Sequence, residues 1–398
     1  MIDLKAARAD PEAMRAALAR KGAADAFDRL LAADARWREL VPRVDELRSR
    51  TKPKGKPTPE QLEELQRVKA ELKDAEDALS AAEAERDTAL LEVPNPPDPS
   101  IPDGDTEDDA VELRRVGEPR QGEAKEAAEI GRFELERAAR LSGSRFGYLV
   151  GDTALLALAL YRFAIDHVAR AGFTPVLPPV LVREEAMVGT GFFPTERSNI
   201  YGLEDDDLYL TGTSEVALAA MHMGEILEDD ALPIRYAGFS TCFRREAGAA
   251  GKDTRGMFRV HQFNKVEMFV FTRPDESREE HERMLAVEEE LLQRLGLPYR
   301  AVDVAAGDLG ASAVRKIDLE AWFPSQGRYR EVTSCSNTTD FQARRLGIRW
   351  RSPGGLATPH TLNGTVVTDR FVLAILETYQ GGVPDSLQEY GAPTRIRD

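Results

Sequence analysis

Cysteine occurs only twice in these 398 residues, as Cys242 and Cys335, and the five histidines are scattered. Two thiols cannot make a disulfide scaffold, and no Cys/His spacing suits a structural metal, so zinc is not expected. No run approaches the ~18 apolar residues of a membrane span. The opening MIDLKAARADPEAMRAALARKG has no apolar signal-peptide core, so no membrane contact is expected and the expected compartment is the cytoplasm. Positive charge is also short: the net charge is −16 and the pI about 5.0, so the whole molecule repels polyanions and any RNA contact must come from local basic patches. A phosphate-binding loop of the Walker kind is missing as well. Gly248-Ala-Ala-Gly251-Lys252-Asp253-Thr254 has two residues between its glycines where that loop needs four, and no hydroxyl directly after the lysine, so nucleotide binding here would be of another kind.

The length allows two domains with a large core. Asp10-Pro11 reads as an N-cap with a first-turn proline, opening a short amphipathic helix to Arg20. Leu30, Ala33, Trp37, Leu40, Val44 and Leu47 then follow steps of three and four, the seam of a coiled coil. Thr58-Pro59-Glu60-Gln61 is a capping box that starts a second helix to Glu92, with seam residues Leu65, Val68, Leu72, Ala75, Leu79, Ala82, Arg86 and Ala89. The two helices are expected to pair antiparallel, with a cationic tip at Thr51 to Thr58 and a kink at Pro42. From Arg36 to Lys56 there are eight basic residues against three acidic ones, which reads either as an RNA contact or as a solvated helix face.

Pro94-Asn-Pro-Pro-Asp-Pro-Ser-Ile-Pro102 is a stiff linker and the acidic Asp103 to Asp109 follows it, so the expected division is an arm at 1–95, a linker at 96–110 and a second domain at 111–398. In that domain Val111 to Val116 reads as a strand, Ala124 to Leu141 as a helix, and Ser142 to Val150 as turn plus strand. A long apolar helix from Thr153 to Ala171 leads into a strand containing Pro179. Leu208 to Glu215 is a strand running into a loop with Thr213, Ser214 and Glu215. That loop suits an ammonium group, and it suits equally the N-cap of a helix from Val216 to Leu227.

Phe239 to Phe271 is the richest stretch, a strand, a charged loop and a second strand. Arg244 could clamp a phosphate with two N–H groups, Glu246 could accept from an amine or hydroxyl, and Phe263 offers a flat face to a purine. Taken alone, Arg and Glu on a strand are more often a solvated cross-strand pair, and a lone Phe is more often core. Arg-x-Glu followed past a polar loop by Arg259-x-x-x-Phe263 resembles the second signature motif of class II aminoacyl-tRNA synthetases. The string AGAAGKDTRGMFRVHQFNKVE is similar to that of bacterial-type seryl-tRNA synthetases.

That resemblance extends over the arm, the linker and all three class II motifs. It implies an α+β fold, an antiparallel sheet flanked by helices behind a coiled-coil arm, and a homodimer through the first motif around Pro179. It further implies activation of L-serine with ATP and Mg²⁺, then transfer to tRNA(Ser), and to tRNA(Sec) where present. The implied catalytic residues are Arg244, Glu246 and Arg370. Thr213, Ser214, Glu215, Glu267, Asn363 and Thr365 would bind serine, with Ala217 standing where the family usually has proline. Arg244, Arg245, Glu246, Arg259, Val260, Phe263, Glu331, Val332, Thr333, Ser334 and Arg370 would bind ATP, Glu331 and Ser334 also serving as oxygen ligands for Mg²⁺. For Glu267 a strand salt bridge with Lys265 is the competing reading, and for Cys335 a packed thiol is favoured over a nucleophile. Arg36, Arg43, Arg48, Lys52, Lys54 and Lys56 would meet tRNA, on an arm shorter than the family's usual one. Two alternatives belong to other classes, a ligase loading an amino acid onto a carrier protein and an inactive RNA-binding relative.

Overall fold

The computed structural model describes residues 1–52, 58–247 and 256–397, and the chain divides into two compact units, Met1–Pro96 and Pro97–Asp398. In the first unit, aspartates open the short helices. Asp3 accepts from the backbone N–H groups of Lys5 and Ala6 at the start of α1 (Leu4–Ala9), and Asp10 from that of Ala13 at the start of α2 (Pro11–Ala19). The long helices α3 (Ala24–Arg50) and α4 (Pro59–Glu92) pack along the expected seam: Leu30, Ala33, Val44, Leu47, Val68, Ala75 and Ala82 are buried, and the other seam residues are half-buried. The polar seam residue Arg86 lays its guanidinium 4.1 Å from the centre of the Trp37 ring. The Thr58 capping box forms in both directions, at 2.9 and 3.3 Å. Helix α3 is assigned as one element through Pro42, which is exposed, so water can solvate the Arg38 carbonyl that lacks its usual donor. Lys54 and Lys56 lie outside the described residues.

The second unit is built on an eight-stranded sheet. In chain order its strands are β1 (Val111–Val116), β2 (Thr174–Val176), β3 (Ile234–Phe243), β4 (Gln262–Thr272), β5 (Tyr299–Asp303), β6 (Arg315–Phe323), β7 (Arg328–Thr339) and β8 (His360–Thr368). Across the sheet the order is β1-β5-β6-β7-β8-β4-β3-β2, antiparallel except for β2 against β3. Three helices cover it and fill the main apolar cluster: α5 (Asp152–Arg170), α6 (Ser277–Arg294) and α7 (Asp369–Tyr379). Of the expected linker, Asp98 donates its N–H to the Val314 carbonyl at 2.9 Å, and Ile101 is buried with Val304, Ala306 and Leu309.

Three expected elements differ. The helix expected from Ala124 to Leu141 is broken into helix Ala127–Ile130, strand Phe133–Glu134 and helix Leu135–Ser142. The break falls at Gly131, where a Cβ would sit 2.8 Å from Leu376 Cδ1 and 2.9 Å from Thr153 Oγ1, so the chain is extended there to pass close to α5 and α7. The helix expected from Val216 to Leu227 is Glu215–Ala220 alone, because Ile226–Leu227 pairs in parallel with Arg349 and Trp350 after the positive-φ Gly224. Strand β2 ends at Val176, before Pro179. Among the described residues no helix is long and apolar enough to cross a membrane.

Candidate active site

Strands β3 and β4 form the hairpin read from the sequence, with Phe243 opposite Gln262 and Cys242 opposite Phe263. The chain leaves β3 at Phe243, and Arg244 stands just beyond it. Its Nε donates to the Gly212 carbonyl at 3.1 Å, and its guanidinium carbon lies 5.4 Å from the centre of the Phe263 ring. Glycine at 212 suits that approach, since a Cβ there would meet Arg244 Cγ at 3.3 Å. Glu246 holds φ at +51°, an uncommon left-handed setting for a carboxylate residue, and accepts from Arg259 Nε at 2.7 Å. Residues 248–255 are outside the described residues.

A cavity of about 320 Å³ opens over this hairpin and is closed by β7, β8 and the start of α7. It brings together Arg244, Glu246, Arg259, Val260 and Phe263 from the hairpin, Glu331, Val332 and Ser334 from β7, and Thr365 and Arg370. Glu331 and Ser334 share a wall because of a bulge: β6 pairs Glu320 with Glu331 but Leu319 with Thr333, and Val332 is the extra residue. Arg370 donates to the Glu331 carbonyl at 3.0 Å and pairs with its carboxylate at 3.4 Å. Arg370 first, then Lys316, hold the Glu331 carboxyl below its ordinary range against the opposing effect of burial.

Behind the cavity lies a second group of buried polar residues. Glu267 Oε2 pairs with Lys265 Nζ at 2.7 Å and accepts from Thr365 Oγ1 at 3.1 Å. The competing salt-bridge reading of Glu267 is therefore realised, and both contacts fall on one oxygen, leaving Oε1. Glu215 Oε1 accepts from Gln342 Nε2 at 2.7 Å and from Asn363 Nδ2 at 3.0 Å. Burial first, and the Glu267 charge second, push the Glu215 carboxyl up to about 7. Thr213 is buried beside them with its Oγ1 accepting from the Glu215 N–H at 3.2 Å, a turn bond one residue before the N-cap Ser214, whose own side chain makes no capping bond.

Three expected site residues turn elsewhere. Ser214 Oγ donates to the Gly238 carbonyl at 3.3 Å and ties its loop to β3. Arg245 Nε donates to the Ile200 carbonyl at 3.0 Å, with the guanidinium 4.6 Å from the centre of the Tyr201 ring, because successive residues past β3 point to opposite sides. Thr333, placed on the far face by the bulge, donates to Glu288 Oε2 at 2.8 Å. Cys335 is buried and its thiol is pushed well up by that burial, as a packed thiol would be.

Four residues escaped the sequence reading. Gln342 orients Glu215, and only its place in the Ser334-to-Leu346 stretch could have hinted at that. Lys316 lines the cavity and pairs with Asp318 at 3.1 Å, while Asp318 Oδ1 is buried with no partner among the described residues. Asp369, beside Arg370, is buried and pushed up to about 7; its Oδ2 accepts from the Asn264 N–H at 3.2 Å and its Oδ1 from the Tyr161 hydroxyl on α5. A lone tyrosine on the apolar face of α5 was the available signal, since a buried hydroxyl needs a partner.

The arrangement can hold a triphosphate nucleotide against a small zwitterion: arginines at both ends, an aromatic face, hard oxygens between, and carboxylates in a recess. The chain is similar to known proteins over nearly its whole length. The seryl-tRNA synthetase N-terminal domain family matches residues 1–97, and the class II tRNA synthetase core domain family (G, H, P, S and T) matches 200–379. The serine–tRNA ligase of Thermobifida fusca (strain YX) is 49% identical, covering 98% of this chain and 97% of its own, and that of Nocardia farcinica (strain IFM 10152) is 50% identical, covering 96% and 94%. The crystal structure of seryl-tRNA synthetase from Pyrococcus horikoshii complexed with ATP superposes with a TM-score of 0.93 at 38% identity, covering 100% of this chain and 99% of that one.

Proposed function

The chain belongs to the seryl-tRNA synthetases, and from that premise we propose how its own residues activate L-serine with ATP and pass it to the 3′ end of tRNA(Ser). The observation that carries the reading is one cavity lined by Arg244, Phe263, Glu331, Ser334 and Arg370, backed by the recess of Glu215, Glu267, Asn363 and Thr365. The purine stacks on Phe263. The terminal nitrogens of Arg244 meet the α-phosphate, and Arg370 and Arg259 meet the far phosphates. Glu215 Oε2 takes the serine ammonium, and Glu267 Oε1 accepts from the serine hydroxyl. One serine carboxylate oxygen then attacks the α-phosphorus as pyrophosphate leaves, and the ribose hydroxyl of the tRNA end later displaces AMP. No covalent enzyme intermediate is needed, so positioning and charge stabilisation do the work.

Glu331 and Ser334 fit Mg²⁺, an ion that favours oxygen donors and keeps several waters, so two protein oxygens on one wall suffice. When bound, the ion would neutralise phosphate charge. A homodimer is proposed through α5 and β2, where Leu158, Tyr161, Ile165, Val176 and Leu177 line an apolar groove. ATP, serine and tRNA meet in the cytoplasm, which is the proposed compartment.

Serine-dependent ATP–pyrophosphate exchange, followed by charging of tRNA against charging of a carrier protein, tests the reading. Serine should exceed alanine by about 10⁴ in kcat/KM, since alanine leaves buried oxygens unpaired. Absence of exchange would sink the assignment, and a carrier protein as the better acceptor would change its second step.

A further inference from the structure

Past Phe258 the ATP cavity adjoins a larger one of about 810 Å³, and the two share Phe258, Arg259, Glu331 and Arg370. Phe258 carries two guanidiniums. Arg370 lies 4.6 Å and Arg330 3.7 Å from its ring centre. Arg330 lines the second cavity but not the first. Beyond it the second cavity is lined by Arg328, also from β7, by Arg115 from β1 and by Arg300 from β5. The Tyr329 ring props the last two in place, at 5.0 and 5.4 Å. In all, six arginines face this cavity against four carboxylates, Glu107, Asp108, Glu320 and Glu331, in a chain of net charge −16. Arg115 and Arg300 are partly answered by Glu112 and Glu320. Arg328, by contrast, donates to the neutral Gln326 Oε1 at 3.3 Å and forms no ion pair among the described residues.

We propose that this second cavity is a binding site for pyrophosphate on its way out of the enzyme. The proposal rests on the reading of the first cavity as the ATP site. When the serine oxygen forms its bond to the α-phosphorus, the bond from that phosphorus to the bridging oxygen breaks, and the electron pair leaves on pyrophosphate. The anion is therefore released at the Arg370 end, the wall the two cavities share. Guanidinium forks match phosphate oxygens, and a graded row of them lowers the cost of drawing a multiply charged product away from Arg370. Arg328 and Arg330 stand outside the ATP cavity, so they act on the product without touching the purine or serine.

The test is the reverse reaction in the full-length enzyme, ATP formation from seryl-adenylate and added pyrophosphate. Arg328→Ala combined with Arg330→Ala should raise KM for pyrophosphate about fivefold, with KM for ATP and serine moving by less than about twofold in the forward direction. Restoring charge with lysine at both positions should recover part of the loss. An unchanged KM for pyrophosphate overturns the proposal. So does a parallel rise in KM for ATP, which would make the cavity part of the nucleotide site, and so does a rise confined to KM for tRNA, which would make it a seat for the RNA end. Should the double variant lose its circular dichroism signature, Arg328→Ala alone decides, since Arg328 is exposed. An unmodified enzyme with no serine-dependent exchange would fail the ATP-site reading instead, a separate outcome.

Discussion

Arg244 spends its Nε on the Gly212 carbonyl, which fixes the fork and leaves both terminal nitrogens for a phosphate. Arg244→Ala should cost on the order of 3 kcal/mol in the transition state, about a hundredfold in exchange rate, with thermal unfolding unchanged. Exchange kinetics at saturating serine check it. Glu215 supplies a pH signature. Its carboxyl is lifted from 4.5 to about 7 by burial, then by Glu267, and the serine ammonium needs the charged form. We expect kcat/KM for serine to rise as pH passes up through about 7 and to level above it, with Glu215→Gln removing the inflection. The stability effect has the opposite sense. A raised folded value means that the contribution of Glu215 is fully present below 4.5 and is lost as pH rises toward 7, so the ligand-free enzyme loses stability there and serine restores it. Residue type made Arg244, Glu246 and Glu267 legible in the sequence. The side to which Thr333, Ser214 and Arg245 point was not, because a one-residue bulge opposite Leu319 and Glu320 and the bend after Phe243 leave no periodic trace.

The long helices show what charge counting along one element misses. From Arg36 to Lys56 the sequence reads strongly basic, yet α4 carries eleven acidic residues against four basic ones. Across the pair Arg36 meets Glu85 at 3.2 Å, Arg48 meets Glu76 at 2.9 Å and Arg50 meets Glu64 at 3.3 Å. Two of the three described helix arginines assigned to RNA are thus already answered by carboxylates. Arg43 and Lys52 form no ion pair among the described residues, so on this arm they are the residues we propose for RNA contact. Arg43→Ala with Lys52→Ala should raise KM for tRNA and lower the slope of its salt dependence by about one unit, while Arg36→Ala with Arg48→Ala changes either less. Charging kinetics at two salt concentrations distinguish them. Stability should hardly respond, since exposed pairs are worth under about 1 kcal/mol each and the seam side chains supply more. The seam itself was plain from its spacing, because steps of three and four admit one buried stripe. The fragmentation around Gly131 was hidden, since it depends on α5 and α7 passing within contact of a residue far away in sequence.

At the scale of the molecule, Leu158 and Leu177 are 64% and 83% exposed beside the apolar groove on α5 and β2, an arrangement that a second copy of the chain would cover. The proposed homodimer predicts that sedimentation equilibrium gives dimers for the unmodified chain and monomers for Leu177→Glu. The resemblance implied a homodimer around Pro179, but which side chains face outward was not open to sequence reasoning, because a leucine just past a strand looks like any other until the sheet edge is known. Tyr161 joins that groove to the chemistry: its ring lines the groove, while its hydroxyl holds Asp369, the neighbour of Arg370. In the proposed dimer, a partner packed against this groove would hold the carboxyl at the head of α7, and its loss would loosen it. Affinity for nucleotide would then report how much enzyme is present. Diluting the protein below the dissociation constant of the proposed dimer should raise KM for ATP and leave KM for serine nearly still, so that scarcity of the enzyme itself becomes a quantity the active site can sense.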